Sequence, residues 1–208
     1  MESGSKLKVM LIAPCREGTL GGQATSARLL ISGLQREIKW TVVSLPPPGR
    51  QVIMRAIGSV TIFCRSFFLC LYRRIKVVHL FASCTRMALY EKLWLGFFLR
   101  LTGTRSILNF RGAFDELYLR CSSFEKKLIR FLLRRQTAVL CQHNGIKSFL
   151  LHEGILPEKK IDVIPNAVEP VHEEMIPVRN SGKKKMICLS WIVSSKGLDV
   201  LIRSEEHT

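Results

Sequence analysis

Short apolar runs alternate along this chain with longer stretches in which apolar residues recur every three or four positions. The short runs are typical of strands buried on both faces, and the three-to-four spacing is typical of helices with an apolar face. The predicted strands are residues 7–13, 40–45, 75–81, 105–110, 137–141 and 161–164, and the predicted helices are 24–36, 52–72, 87–101, 124–135 and 146–153. This alternation predicts an α/β fold with a Rossmann-like, doubly wound parallel sheet.

The predicted helix 52–72 has two interpretations. Its spacing predicts one apolar face directed at the core, made of Ile53, Ile57, Val60, Cys64, Phe67, Phe68 and Leu71. The same stretch carries basic residues beside its aromatic positions, namely Arg55, Arg65, Arg73 and Arg74. A basic, aromatic helix can also lie flat on an anionic membrane, so a core helix and a membrane-surface helix both stay open.

The pattern changes after residue 168, and we divide the chain there. Residues 1–168 are predicted to form one domain, and the charged, proline-containing stretch 169–185 is predicted to be a linker. Residues 186–208 contain one predicted strand and one helix start, which we expect to be the beginning of a truncated second domain. The last six residues, 203–208, match the translation of a common sequencing adapter; the alternative is a genuine polar end of a helix.

The chain is strongly basic, with 32 lysines and arginines against 16 acidic residues and a formal net charge of +16. Hydrophobic residues make up 47%, which is typical of a folded globular protein. The charge suggests nucleic acid or an anionic membrane as a partner. No zinc-finger, KH or RRM signature is present, so nucleic acid is not the predicted partner.

The cysteines and histidines do not predict a disulfide framework or a metal site. The seven cysteines are odd in number and none has Cys-x-x-Cys spacing. The segment beginning at His172 lacks the second histidine of a zinc-protease motif, and His79 lies in a predicted strand, where a packed core residue is expected. Free cysteines of this kind suit a reducing compartment, and we predict a cytoplasmic location.

Three segments have the residue types that bind anionic ligands. Residues 18–23, including Gly21 and Gly22, join a strand to a helix, where glycines allow close backbone approach and the helix N-terminus favours anions. Residues 109–116 follow a strand at its carboxyl end, where open α/β sheets bind ligands. Lys196 lies at a later strand–helix junction, where it could meet a diphosphate. The alternatives are a tight turn, a surface loop with a structural ion pair, and a solvated lysine.

Taken in order, and together with a fourth segment at residues 159–168, these segments resemble the group 4 glycosyltransferases. The resemblance rests on the glycine pair at 21–22, on Arg111-Gly112, on Ile164-Pro165-Asn166, and on Lys196-Gly197-Leu198-Asp199-Val200-Leu201-Ile202. It extends over the chain up to Ile202.

That resemblance implies a GT-B enzyme, in which two Rossmann-like domains face each other across a cleft. The first domain would hold a saccharide or lipid-linked acceptor and the second a nucleotide-sugar donor; transfer would proceed with retention, without a cofactor or a metal. Carried over to this chain, Gly21, Gly22 and Lys196 would contact the donor diphosphate, and Arg111 and Gly112 would line the acceptor side. No catalytic residue is assigned.

The chain departs from the family pattern at four positions. Ser190 and Trp191 replace a glycine and a cationic arginine, Arg111 replaces a histidine, and Ala167 replaces a glycine. The family's paired glutamates lie beyond the end of the chain. We therefore expect a fragment of a glycosyltransferase of bacterial envelope polysaccharide assembly, peripheral on the inner membrane face. The alternatives are a non-enzymatic Rossmann-like fragment without a donor site and a basic protein that binds membranes or nucleic acid.

Overall fold

The computed structural model describes residues 6–15, 22–45 and 52–166, with the side chains of its second helix from residue 57 onward. The strands are β1 Leu7–Ala13, β2 Ile38–Ser44, β3 Val77–Ser83, β4 Arg105–Arg111, β5 Ala138–Cys141 and β6 Ile161–Val163. The helices are α1 Gly22–Leu34, α2 Val52–Arg73, α3 Arg86–Leu99, α4 Phe114–Leu119, α5 Ser123–Arg134 and α6 Asn144–His152, with 3₁₀ turns at Arg100–Thr102 and Glu158–Lys160.

The six strands form one parallel sheet in the order β2-β1-β3-β4-β5-β6. The predicted α/β, Rossmann-like fold is confirmed. The chain moves outward from β1 to β2, then returns across β1 to build β3 and the remaining strands. The strand order therefore reverses between β1 and β3, and open α/β sheets bind ligands at such a switch point, outside the carboxyl ends of the strands.

The buried side chains form two clusters because strand residues alternate between the two faces of the sheet. The larger cluster includes Met10, Ile12, Leu80, Leu108 and Phe110, and it packs under α3, α5 and α6. The smaller cluster consists of Leu11, Ala13, Phe81 and Ala27 of α1. Helices thus cover both faces, as expected for strands that are apolar runs.

Most predicted elements are present, with ends shifted by a few residues. Gly103 ends the 3₁₀ turn that follows α3; it has a positive φ of 77° and donates its N–H to the carbonyl of Arg100. His79 is buried, as predicted. Helix α4 was not predicted because its six residues are too few to show a helical period. The Ser122–Glu125 capping box that begins α5 was also missed, although its Ser-x-x-Glu spacing is visible in the sequence.

The predicted inner face of α2 is wrong for most of its residues. Ile57, Val60, Cys64, Phe68 and Leu71 lie on the exposed side of the helix. The side that packs on the protein has Ile62, Ser66 and Cys70 at its centre, with Phe63 and Phe67 partly buried beside them. Both sides of this helix are apolar, so residue spacing alone does not identify the inner one.

Several predictions concern residues outside those the structure describes. They are the linker 169–185, the second-domain segment 186–208 with its terminal residues 203–208, the side chains of Ile53 and Arg55, and the site residues Gly21 and Lys196. These stay predictions.

Candidate functional site

The candidate site lies at the carboxyl edge of the sheet, beside the switch point between β1 and β3. Helix α1 begins there at Gly22, and β4 ends there at Arg111. The register places Arg111 next to Ser83, the last residue of β3. In open α/β sheets this is the edge at which ligands bind.

Helix α1 approaches the sheet closely at this edge. Its first two turns bury Ala24, Ser26 and Ala27, whose small side chains bring the helix backbone near β1 and β3. Its first turn carries no acidic residue. The partial positive charge of the helix N-terminus is therefore not compensated by a side chain within that turn.

Arg111 is a buried cation beside this helix. Its side chain is only 9% exposed, and its guanidinium carbon lies 4.7 Å above the centre of the Phe81 ring. One Nη1 hydrogen-bond partner is the Ser26 hydroxyl, at 3.4 Å, and another is Oδ1 of Asn166. Burial lowers the pKa of the guanidinium.

Arg111 has no acidic counter-charge within the part of the chain that the structure describes. No carboxylate there pairs with it, and its Nε has no hydrogen-bond partner among those residues. The alternative of a structural ion pair within residues 109–116 is therefore not what the structure shows. A buried charge without a counter-ion is costly, and a bound anion would reduce that cost.

Gly112 turns the chain away from β4 immediately after Arg111. Its φ of 125° is a conformation that side-chain-bearing residues rarely adopt. In this conformation its N–H donates to Oε1 of Gln142 at 3.1 Å, and Nε2 of Gln142 donates to Oδ1 of Asn166 at 2.7 Å. Asn166 thus receives hydrogen bonds from Gln142 and Arg111, and it joins the segments that follow β4, β5 and β6.

A second polar pair lies deeper on the same face of the sheet. Nδ2 of Asn109 is 3.2 Å from Nε2 of His79, and both residues are buried. Burial, and then the charge of Arg111, lower the pKa of His79 from 6.5 to about 4. The imidazole is therefore neutral at neutral pH, and with Asn109 as the donor its proton lies on Nδ1.

Two cysteines near the edge of the sheet are not activated nucleophiles. Burial raises the pKa of the Cys84 thiol and of the Cys141 thiol to about 12. Both thiols are protonated at neutral pH, and the thiolate is the nucleophilic form.

Three of the five predicted site residues lie at this edge: Gly22, Arg111 and Gly112. Gly21 and Lys196 lie outside the described residues. Asp115 and Glu116, part of the same sequence segment, begin α4, where Glu116 is exposed. Sequence reasoning missed Ser26 and Gln142 and assigned no role to Asn109 or Asn166. Gln142 directly follows a predicted strand, and polar residues at that position were the available signal.

Among the described residues no group of three or more His, Cys, Asp and Glu side chains is placed to hold a metal ion. The expectation that the protein uses neither a metal nor a cofactor stays a prediction.

Comparison with known proteins gives the following result. No protein-family model matches the chain, and no curated protein matches it. One solved structure that the chain resembles is a glycosyltransferase from Rickettsia africae ESF-5, with a TM-score of 0.49 and 14% sequence identity. The match covers 77% of this chain and 43% of the other, so this chain spans less than half the length of that protein.

Proposed function

We propose that this chain is the acceptor-side domain of a glycosyltransferase, which transfers a sugar from a nucleotide-sugar donor to a saccharide or lipid-linked acceptor. The proposal rests on the four sequence segments that resemble group 4 glycosyltransferases, together with the fold. The observation that carries it furthest is Arg111, a buried guanidinium without a carboxylate partner among the described residues, at the ligand-binding edge of the sheet.

Each site residue has a role in this proposal. The anions available in such a reaction are the diphosphate of the donor and any phosphate of a lipid-linked acceptor. Arg111 would bind one of them, and Gly112 would keep the backbone turned away so that the guanidinium faces the crevice. Gly21 and Gly22 would present backbone N–H groups at the start of α1, and Lys196 would contact the donor diphosphate. Retention and independence from metals follow from the resemblance and belong to the same proposal.

The test uses protein produced from the whole open reading frame at the source locus. Release of nucleoside diphosphate from a panel of nucleotide sugars is measured with saccharide and lipid-linked acceptors. We expect one donor to be turned over, and Arg111→Gln to lower kcat/KM by about 10- to 100-fold, the effect expected for loss of a charged hydrogen-bond donor. Arg111→Lys should recover part of the loss.

Arg105→Gln is the matched control. Arg105 is the exposed first residue of the strand that Arg111 ends, about 20 Å away, and the substitution removes the same charge. Equal losses in the two variants would contradict a specific role for Arg111. If no donor is turned over, the result favours the alternative of a non-enzymatic Rossmann-like protein without a donor site.

A further inference from the structure

Helix α2 is apolar on two opposite sides, and only one of them packs on the part of the protein that the structure describes. The packed side buries Ile62, Ser66 and Cys70. The other side is an outer stripe, which we define as Ile57, Val60, Cys64, Phe68 and Leu71. Its four large apolar side chains are 52–66% exposed, and Tyr72 beside them is 89% exposed. A surface helix normally has a polar outer side, so this stripe requires an explanation.

The apolar surface extends from the outer stripe onto α3. A groove of about 240 Å³ between the two helices is lined by Val60, Phe63, Trp94, Leu95 and Phe98, with Ser59 and Glu91 at its margin. The Phe63 and Phe98 rings meet edge to face at 5.4 Å, and the Trp94 and Phe98 rings stack at 5.7 Å. Val60 belongs to both the outer stripe and the groove, so the two adjoin, and exposed apolar surface of this kind often marks an interaction site.

The charge beside this surface is mainly positive. Helix α2 has no acidic residue, and Arg65, Arg73 and Arg74 lie exposed along it and at its end. Glu91 is the one acidic residue between positions 38 and 114 of the sequence. Arg100, directly after α3, is exposed as well. A second copy of this chain would bring these arginines against one another, which disfavours self-association through this surface.

Aromatic residues and arginines around an aliphatic stripe suit the boundary between lipid headgroups and acyl chains. Trp and Tyr are enriched at that depth, and each basic residue near an anionic surface raises binding roughly fivefold. Among the described residues no helix is both long and apolar enough to cross a bilayer. A helix with aromatic, aliphatic and basic residues on its exposed side suits a position parallel to the membrane plane.

We propose that the outer stripe and the adjoining groove dock on an anionic lipid surface, with α2 parallel to the membrane plane. Phe68, Leu71 and Val60 would enter the upper acyl region, and Arg65, Arg73 and Arg74 would pair with anionic headgroups. This function is independent of sugar transfer. It would hold the sheet edge with Arg111 at a constant height above the membrane.

The experiment is co-sedimentation of the full chain with vesicles of phosphatidylcholine alone and of phosphatidylcholine mixed with phosphatidylserine. We expect binding to the mixed vesicles that weakens as salt is added. The double variant Phe68→Ser/Leu71→Ser should lower that binding roughly tenfold or more. The matched control is Phe124→Ser/Leu119→Ser, which changes the same residue types at positions 75% and 61% exposed, and it should bind as the unchanged protein does.

A charge variant tests the proposed pairing of the arginines with anionic headgroups. Arg65→Gln should lower binding to the mixed vesicles roughly fivefold. Arg28→Gln, on α1 across the sheet, should leave it unchanged, since Arg28 is exposed on the opposite face. Equal binding to neutral and anionic vesicles would overturn the proposal, and so would unaltered binding by Phe68→Ser/Leu71→Ser.

The competing occupant is a second copy of the chain. Sedimentation velocity without lipid distinguishes a dimer of the chain from a monomer. A dimer that dissociates in Phe68→Ser/Leu71→Ser but persists in Phe124→Ser/Leu119→Ser would assign the outer stripe to self-association and overturn lipid docking. A monomer that binds the mixed vesicles supports the proposal.

Discussion

Asn109 and His79 are thirty residues apart in the chain, yet the Asn109 amide nitrogen and Nε2 of His79 lie 3.2 Å apart on neighbouring central strands. The pair is buried and lies on the same strand face as Arg111, so the histidine is held neutral. Its properties give two predictions.

The first prediction is loss of stability in mild acid. The folded pKa of His79, about 4, lies below its unfolded value of 6.5, so the unfolded chain binds more protons between these values. Stability is therefore complete above pH 6.5 and decreases as the pH falls toward 4, with a loss on the order of 2 kcal/mol by pH 5 from this group. Urea unfolding at several pH values measures it. His79→Gln should flatten the dependence, and His152→Gln, at a side chain 88% exposed, should not.

The second prediction makes His79 a reporter of anion binding at Arg111. The charge of Arg111 contributes to the low pKa of His79, so an anion that compensates this charge should raise that pKa. The rise should be partial because burial is the larger cause. Imidazole NMR titrations with and without inorganic phosphate test this. Arg111→Gln should raise the pKa without phosphate and abolish the phosphate effect; a phosphate effect that survives in this variant would place the anion elsewhere.

The third prediction concerns the glycine in α3. A methyl group at Gly96 would overlap Oε1 of Gln136 and lie 3.0 Å from Cδ1 of Leu80. Gln136 cannot move freely because its Nε2 donates to the carbonyls of Leu93 and Leu132, at 3.3 and 3.1 Å. Gly96→Ala should therefore lower the free energy of unfolding by about 1–3 kcal/mol.

Gly33→Ala in α1 is the control for that substitution. No atom of the described residues lies within 4 Å of the added methyl group, so the variant should be as stable as the original or more stable by about 0.5–1 kcal/mol. Chemical denaturation measures the free energy of unfolding of both variants. Equal effects of the two substitutions would show that helix propensity, not the contact with Gln136, decides the result.

The fourth prediction separates backbone strain from ligand binding. Gly112→Ala should lower stability by about 1–3 kcal/mol, because a φ of 125° is strained for alanine, and it should also weaken phosphate binding by disturbing the Gly112–Gln142 hydrogen bond. Gly154→Ala, at a φ of 58° and with backbone hydrogen bonds to Leu151 and Arg134 and not to the site residues, should cost about 1–2 kcal/mol and leave phosphate affinity unchanged. Calorimetric titration with phosphate gives the affinities.

The sheet could be predicted from sequence because the central strands β1, β3 and β5 are apolar runs, and strands buried on both faces leave that signal regardless of their neighbours. Arg111 and Gly112 could also be predicted, since they directly follow a strand. The side of α2 that faces the core could not be predicted, because both of its sides are apolar.

The remaining contacts of the site depend on strand register. Ser26 and Arg111 are separated by 85 residues, and only the folded arrangement of α1 against β3 and β4 brings them together. Gln142 and Asn166 meet because β5 and β6 are neighbours in the sheet. Sequence patterns indicate which residues form a strand and do not indicate which residues of two strands lie side by side.

The strand order has a consequence for how the molecule assembles. Four of the five strand pairings join strands consecutive in the chain, and the pairing of β1 with β3 alone brings together segments separated by another strand. Strands β1 and β2 form one block and strands β3 to β6 form another; the two blocks meet where β1 pairs with β3, and the candidate site lies at the carboxyl end of that pairing. An anion bound to both α1 and Arg111 would stabilise the contact between the two blocks. Phosphate should then slow native-state hydrogen exchange of the β1 and β2 amides as a group, because the bound anion would stabilise the pairing that is least local in the chain.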